Sequence, residues 1–359
     1  MKEKISVREL VALILLTVGT KLADMTPTIV AQVGKNAMWM VPIISFLTLL
    51  PSFLILLYLF RKLEVENLVE LLKKICGKYI GGIFGFLFFL CIYVLTIVDT
   101  NSYVNELTAM YYPKSPELFI FIIVFIVGLW GAKKGFGLIS SIAWMLLPYI
   151  KVIATFLIVL LLGDLVWLRI FPLWGDGFVP VLIEGIKKGS IYGDLFLYTM
   201  AYGLLGHKSF TKGVSIGGVI VLIELTLFYL VYVVFFDYKS IDSIAYAFHE
   251  ITQYVSIGTF FTNIEVFFMA FWLLATFMRF IIYFYLSTWI FAAVFSIKNF
   301  RPLLVPMIFI ACMFGLWMDE PIRNVLVHFS LVMDLSTAVY FIIPLLLLAI
   351  AKFRGQLKG

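Results

Sequence analysis

Long apolar stretches separated by short polar segments run along the whole chain of 359 residues. A membrane-spanning helix needs about 20 consecutive apolar residues, and ten stretches come close to this length or exceed it. The predicted spans are residues 9–32, 37–60, 80–104, 117–132, 138–163, 189–206, 214–236, 257–295, 302–318 and 332–351. The pattern therefore predicts an all-α membrane protein with ten transmembrane helices in one transmembrane domain, residues 1–359.

Composition narrows the class of protein further. Hydrophobic residues make up 63% of the chain and charged residues 13%, a balance that excludes an ordinary soluble domain. The three cysteines and three histidines have no spacing typical of a disulfide framework or a metal site. The sequence also lacks a phosphate-binding glycine loop and a nucleophile elbow. We expect no enzyme activity, no cofactor and no metal.

Basic residues are distributed unevenly between the predicted loops. With ten spans and a cytoplasmic N-terminus, 17 of the 27 Lys and Arg residues fall on the cytoplasmic side, 7 outside and 3 within spans. Splitting the long stretch 257–295 into two spans would move basic residues outside, against the positive-inside rule. We therefore expect both termini in the cytoplasm and the longest loop, about residues 164–188, on the outer face. The net charge of +6 then requires no nucleic-acid partner.

Two of the predicted spans are interrupted by glycine and charge. The first contains "TVGTKLADMTPTIVAQVG" (17–34) and the sixth reads "GSIYGDLFLYTMAYGLLG" (189–206). Ten spans divide into halves of five, and an odd number places two similar halves upside down to each other. We therefore predict an inverted repeat, about 9–163 and 189–351, whose helices 1 and 6 are broken around a midplane ligand site.

Polar residues within these spans are the candidate ligand contacts. In span one, Lys21 and Asp24 are either a buried ion pair or one wall of the site, with Gly19 and Thr20 as the unwound turn. In span six, Asp194 either holds a ligand ammonium or lies at the outer water boundary. Its neighbours Tyr192, Gly193 and Tyr198 belong to the same candidate set.

A polar stripe on span three has helical spacing and faces the bundle interior. It either lines the site or bonds neighbouring helices to each other, and it consists of Tyr93, Thr96, Asp99 and Thr100.

Further charges lie within the predicted membrane region. Glu265, Trp272 and Arg279 are spaced by seven and so share one helix face. Because Glu265 and Arg279 are about 21 Å apart along a helix, they cannot pair directly. Each needs another partner, for which Lys151 and Glu224 are candidates. We expect Arg279 to bond to neighbouring helices, and for Glu265 that role and a functional one stay open.

Several segments together resemble the spore germination permeases, the B subunits of nutrient germinant receptors, in the amino acid–polyamine–organocation superfamily. They are "GKNAMWM" (34–40), "YGDLFLYTM" (192–200), the stripe Glu265, Trp272 and Arg279, and "NFRPLLVP" (299–306). Asn36 and Asp194 stand where the family usually has other residues. The segment between "VPVLIEG" (179–185) and "YGD" is also shorter than usual.

The resemblance implies a ten-helix fold of the leucine-transporter type and a location in the spore inner membrane. It implies recognition of a small germinant, most simply an amino acid, together with an A-type membrane subunit and a C-type lipoprotein subunit. In some proton-coupled relatives a lysine of span five takes the place of a sodium ion, and Lys151 occupies that position here; a salt bridge to Glu224 or Asp99 is the alternative. Two rival functions stay open, an amino acid importer that is proton-coupled and acts alone, and a purely structural subunit.

Overall fold

The computed structural model describes residues 4–237, 240–244, 246–255, 264–318 and 323–357, and within these ranges it contains helices and no strand. The helices of the first half are α1 (Val7–Thr17), α2 (Thr26–Gly34), α3 (Val41–Leu63), α4 (Leu68–Cys76), α5 (Lys78–Met110), α6 (Glu117–Ala132) and α7 (Phe136–Leu161). The second half contains α8 (Phe178–Lys187), α9 (Asp194–Leu197), α10 (Tyr202–Leu205), α11 (His207–Phe236), α12 (Ala247–Gln253), α13 (Glu265–Val294), α14 (Leu304–Leu316) and α15 (Ser330–Phe353).

Within the described residues, six helical stretches are long and apolar enough to cross a membrane: Thr26–Leu63, Lys78–Met110, Phe136–Leu161, His207–Phe236, Glu265–Val294 and Asn324–Phe353. Two shorter apolar helices, Glu117–Ala132 and Arg301–Leu316, accompany them. The chain is therefore a multi-pass α-helical membrane protein. The first stretch is not one straight helix, because Lys35 takes a φ of 47° between α2 and the 3₁₀ turn Lys35–Met40.

Every predicted span overlaps helical structure, although the first residues of the span 257–295 lie outside the described ranges. The expected loop 164–188 is wrong in part, because Phe178–Lys187 forms α8. This helix has ten residues and is too short for its hydropathy to predict a membrane span. Its residues Val181 and Gly185 are nevertheless buried against the bundle. The short helices α4 and α12 escaped prediction for the same reason.

α4 is an amphipathic helix that packs along α5. Asn67 caps its start by accepting a hydrogen bond from Glu70 N at 2.9 Å. Gly81 allows the close approach, since a Cβ there would lie 2.4 Å from Leu72 O. Lys73 Nζ donates to the carbonyls of Ala293 and Val294 at 2.7 and 2.8 Å, which satisfies the free C-terminal end of α13.

The two interrupted segments form the centre of the bundle. Every residue from 10 to 31 and from 188 to 202 is buried, whereas most residues of α7 are partly or fully exposed. α1 packs against α7, α11 and α13, and the 3₁₀ turn Lys188–Tyr192 packs against α3 and α15. The segments that carry the unusual charges are therefore the ones most completely removed from both lipid and water.

Candidate functional site

The first interruption lies between α1 and α2. α1 ends at Thr17, Gly19–Leu22 forms a 3₁₀ turn, and α2 begins at Thr26. Two tyrosines of α11 satisfy carbonyls that the break releases: Tyr229 OH donates to Lys21 O at 3.1 Å and Tyr232 OH donates to Leu22 O at 2.7 Å. The predicted break in span one is present. Tyrosine hydroxyls already satisfy two of the backbone carbonyls at this break.

The second interruption occupies all of residues 188–205. It consists of the 3₁₀ turn Lys188–Tyr192, α9, the 3₁₀ turn Tyr198–Ala201 and α10. Gly193 lies between the first two pieces, and a Cβ at this position would lie 2.3 Å from Tyr340 Cε2. Glycine is therefore required here by the close approach of α15.

A lysine joins the two interruptions. Lys21 Nζ lies 3.2 Å from Asp194 Oδ2, and both side chains are 3% exposed. The same ammonium donates to Ile191 O at 2.7 Å and to Ser190 O at 3.3 Å. Tyr283 OH of α13 donates to Asp194 Oδ2 at 3.0 Å. Lys21 thus binds both a carboxylate and backbone carbonyls of the second interrupted segment.

An arginine of α13 binds the first interruption from the other side. Arg279 is fully buried, and its Nη1 lies 2.7 Å from Asp24 Oδ2. Nη1 also donates to Thr20 Oγ1 at 3.1 Å. The guanidinium lies over the rings of Tyr103 and Tyr283, 5.8 and 5.3 Å from their centroids. Arg279 was expected to bond to neighbouring helices, and it does so at the centre of the candidate site.

Asp24 and Asp99 share this guanidinium but are satisfied differently. Asp24 Oδ1 accepts a hydrogen bond from Thr26 N at 2.8 Å, which satisfies the first backbone N–H of α2. Asp99 Oδ2 lies 3.1 Å from Arg279 Nη2, which is ion-pair distance, but the contact is not aligned as a hydrogen bond. At this distance the guanidinium attracts the carboxylate electrostatically without satisfying its hydrogen-bonding capacity. Neither oxygen of Asp99 has a hydrogen-bond partner among the described residues.

The central cluster consists of five charged groups: Lys21, Asp24, Asp99, Asp194 and Arg279. Fully ionised, it has three carboxylates and two cations, and so one excess negative charge. Burial of an unpaired charge is strongly unfavourable. Either a proton on one of the carboxylates or one further positive group would neutralise this excess charge.

The space around the cluster is small in this conformation. A cavity of about 10 Å³ lies beside Lys21 and Asp194, lined also by Ser190 and Tyr340. A second cavity, of about 50 Å³, lies on the other side of the break, against Gly19. The first volume is about the smallest that can hold one water molecule. The site is closed around its ion pairs, and a larger ligand must separate them.

Lys151 and Glu224 form an ion pair at the edge of the second cavity. This is the salt bridge that the sequence allowed as an alternative for Lys151. The pair lies next to the break, because a Cβ on Gly19 would lie 3.1 Å from Glu224 Oε2 and 3.4 Å from Lys151 Nζ. The lysine side chain is 28% exposed, so this pair is nearer the bundle surface than the central cluster.

The structure separates other predicted residues from the cluster. Tyr93 OH donates to Met307 O at 2.8 Å, and Thr96 Oγ1 donates to Ile92 O within its own helix. Tyr192 packs against Phe46 on the far side of the second segment. Tyr198 OH donates to Leu13 O at 2.9 Å, and Thr100 Oγ1 donates to Thr96 O. Glu265 is the first residue of α13 and is partly exposed.

Sequence reasoning missed four tyrosines that complete the site: Tyr103, Tyr229, Tyr232 and Tyr283. Tyr283 lies one turn after Arg279 and Tyr103 one turn after Asp99, so helical spacing contained a signal for both. Because the chain contains many aromatic residues, the sequence alone did not distinguish these four tyrosines from the others. His249 was also passed over; its Nε2 lies 3.1 Å from Glu106 Oε1, in a buried pair toward the end of α5.

Comparison with known proteins identifies the family. A model of the spore permease family, described as spore germination protein, matches residues 4–323. The chain is 22% identical over 345 residues to Spore germination protein YndE of Bacillus subtilis strain 168. The alignment covers 92% of this chain and 91% of that protein. It is also 22% identical over 191 residues to Putative spore germination protein YfkT of the same organism, covering 53% and 52%. The resemblance of the sequence motifs is therefore confirmed, and the chain belongs to the spore germination permease family.

Proposed function

We propose that this chain is the membrane subunit of a spore nutrient germinant receptor and binds an amino acid between its two interrupted segments. The observation that carries the proposal is the ion pair between Lys21 and Asp194, which joins the two segments in a fully buried site. Membership in a spore germination family supplies the biological setting.

The chemistry of an amino acid matches this ion pair. A zwitterion that enters between the two side chains offers its carboxylate to Lys21 and its ammonium to Asp194. Lys21 and Asp194 then each exchange one partner for another, and neither of these two charges is left unpaired. A ligand without charged groups, or one with charges of a single sign, cannot pair with both side chains. The excess carboxylate of the cluster, Asp99, favours ligands with an additional positive group.

Ligand entry also supplies a switch. Removing one partner of a buried ion pair is unfavourable by about 3–5 kcal/mol, so the closed pair opens rarely in the absence of ligand. A zwitterion that pairs both ends removes most of this penalty. Binding therefore favours a conformation in which the two segments are farther apart, because the ligand interacts with that state and not with the closed one.

We propose the following setting for this switch. The chain has ten spans in a 5+5 inverted repeat of the leucine-transporter type, both termini face the cytoplasmic side, and the protein resides in the spore inner membrane. An A-type membrane subunit and a C-type lipoprotein subunit receive the signal. The interrupted positions in both halves and the predominance of basic residues in the predicted inner loops support this arrangement.

The test is germination of a strain that lacks this chain, measured against a panel of amino acids and other small nutrients. The proposal predicts loss of response to one or a few amino acids, with restoration by the wild-type gene. Uptake of the same radiolabelled amino acid into vesicles containing the chain is measured in parallel. An unchanged germination response to every nutrient would contradict the receptor role, and concentrative uptake without a germination defect would favour the importer.

A further inference from the structure

A long apolar groove runs between α3 and α11 on the outside of the bundle. Its volume is about 280 Å³, larger than either cavity beside the interruptions. Its walls include Leu50 and Leu54 of α3 and Val214 and Val219 of α11. Leu54 is 54% exposed and Val219 50%, so the groove opens toward the surrounding bilayer.

The length of the groove matches one leaflet of the bilayer. Its lining positions on α3 extend from Phe46 to Leu57, eleven residues along the helix and therefore about 16 Å. The hydrocarbon core of a bilayer is about 30 Å thick, so the groove spans about half of it. A single acyl chain of a phospholipid has this reach and this apolar character.

Four basic residues lie in the helix turns next to one end of the groove. Arg61 lies one turn beyond Leu57 on α3, and Lys208 lies one turn before the groove residue Thr211 on α11. Lys62 and Lys212 adjoin them. These four side chains make no ion pair or hydrogen bond within the described part of the chain. Two acidic residues, Glu64 and Glu66, follow in the loop after α3, which leaves the helix ends themselves basic.

We propose that this groove binds one acyl chain of an anionic phospholipid, with the headgroup phosphate among Arg61, Lys62, Lys208 and Lys212. The apolar walls alone do not select a lipid, because bilayer tails are as apolar as leucine side chains. The unpaired cations do, since basic residues at the end of a transmembrane groove attract negatively charged headgroups. The site therefore distinguishes lipids by headgroup charge.

The floor of the groove connects this lipid to the centre of the protein. Tyr192, Leu195 and Phe196 form the floor, and they flank Asp194 in the second interrupted segment. Asp194 is directed toward Lys21, whereas Tyr192 packs against Phe46 on the groove side. A bound acyl chain thus packs on the back of the segment whose front forms the buried ion pair.

The test uses the purified full-length chain in detergent micelles and a photoreactive phosphatidylglycerol with the reactive group in its acyl chain. Crosslinked peptides are mapped and compared with those from the matching phosphatidylcholine probe. We expect phosphatidylglycerol to label residues 50–54 and 214–219 at least tenfold more than phosphatidylcholine does. Unlabelled phosphatidylglycerol should compete for this labelling.

Charge variants make the test specific. The double variant Arg61→Gln with Lys208→Gln should bind the phosphatidylglycerol probe about thirtyfold more weakly, which corresponds to about 1 kcal/mol for each cation. The control Lys298→Gln with Arg301→Gln changes two exposed cations elsewhere and should bind normally.

Equal labelling by the two lipids, or equal loss in both double variants, would overturn the proposal. This readout does not involve germination, so its failure is distinguishable from failure of the receptor role.

Discussion

Replacing Lys21 by methionine isolates the ion pair between the two interrupted segments. The change leaves the Asp194 carboxylate buried with the Tyr283 hydroxyl as its remaining described partner. It also removes the hydrogen bonds to Ser190 O and Ile191 O. Stranding a charge of this kind lowers the free energy of unfolding by about 3–5 kcal/mol. Because proteins are stable by only about 5–15 kcal/mol, we expect a clear loss of folded protein.

The double variant Lys21→Met with Asp194→Asn should be more stable than either single variant. It removes both charges, and its remaining deficit is the lost carbonyl bonds, about 1 kcal/mol each. The control is Lys21→Met with Asp24→Asn, which pairs the lysine with the carboxylate nearest in sequence. Asp24 binds Arg279 instead, so this control should show no recovery.

The assay is a double-mutant cycle on the purified protein in detergent, with thermal and denaturant unfolding as readouts. We expect a favourable coupling energy of about 2 kcal/mol between Lys21 and Asp194. Recovery in the Asp24 double variant, together with simple additivity in the Asp194 double variant, would refute the assignment of partners.

Three further predictions follow from single positions. Cysteine introduced at Asp176→Cys should react with a membrane-impermeant reagent from the outer side of oriented vesicles; reaction only from the cytoplasmic side would reject the proposed topology. Gly193→Ala should lower stability by about 1–3 kcal/mol because its Cβ meets a tyrosine ring at 2.3 Å, whereas Gly218→Ala, inside α11 and with its nearest contact at 3.6 Å, should unfold at or above the wild-type midpoint. Thr20→Val removes the oxygen that accepts from Arg279 at 3.1 Å and should raise the nutrient concentration for half-maximal germination several-fold, by about 1 kcal/mol; an unchanged dose–response would place Thr20 outside the site.

Much of the fold is predictable from hydropathy, because lipid requires long apolar helices and leaves few alternatives. The interruptions were also predictable, since glycine, proline and charge at membrane depth disfavour a continuous helix. The short helix α8 was not, because ten residues do not produce a spanning signal. Amphipathic segments of that length resemble loops when tertiary contacts are unknown.

Partners of the buried charges were much harder to predict. Lys21 and Asp24 are three residues apart, and local spacing allowed a pair between them as one of two alternatives. In the structure Lys21 binds Asp194, 173 positions away in sequence, and Asp24 binds Arg279. Helical periodicity shows which residues share a face, but it does not show which helix lies opposite. That choice depends on the packing of the whole bundle.

The central claim is that the Lys21–Asp194 pair is the place where an amino acid germinant binds. The most direct measurement is the germination dose–response of spores that contain Lys21→Met with Asp194→Asn as the sole copy of this chain. We predict a protein level in the spore membrane above that of either single variant and no response to the cognate amino acid, with unchanged response through other receptors. A wild-type dose–response in these spores would show that the pair is structural and would contradict the account.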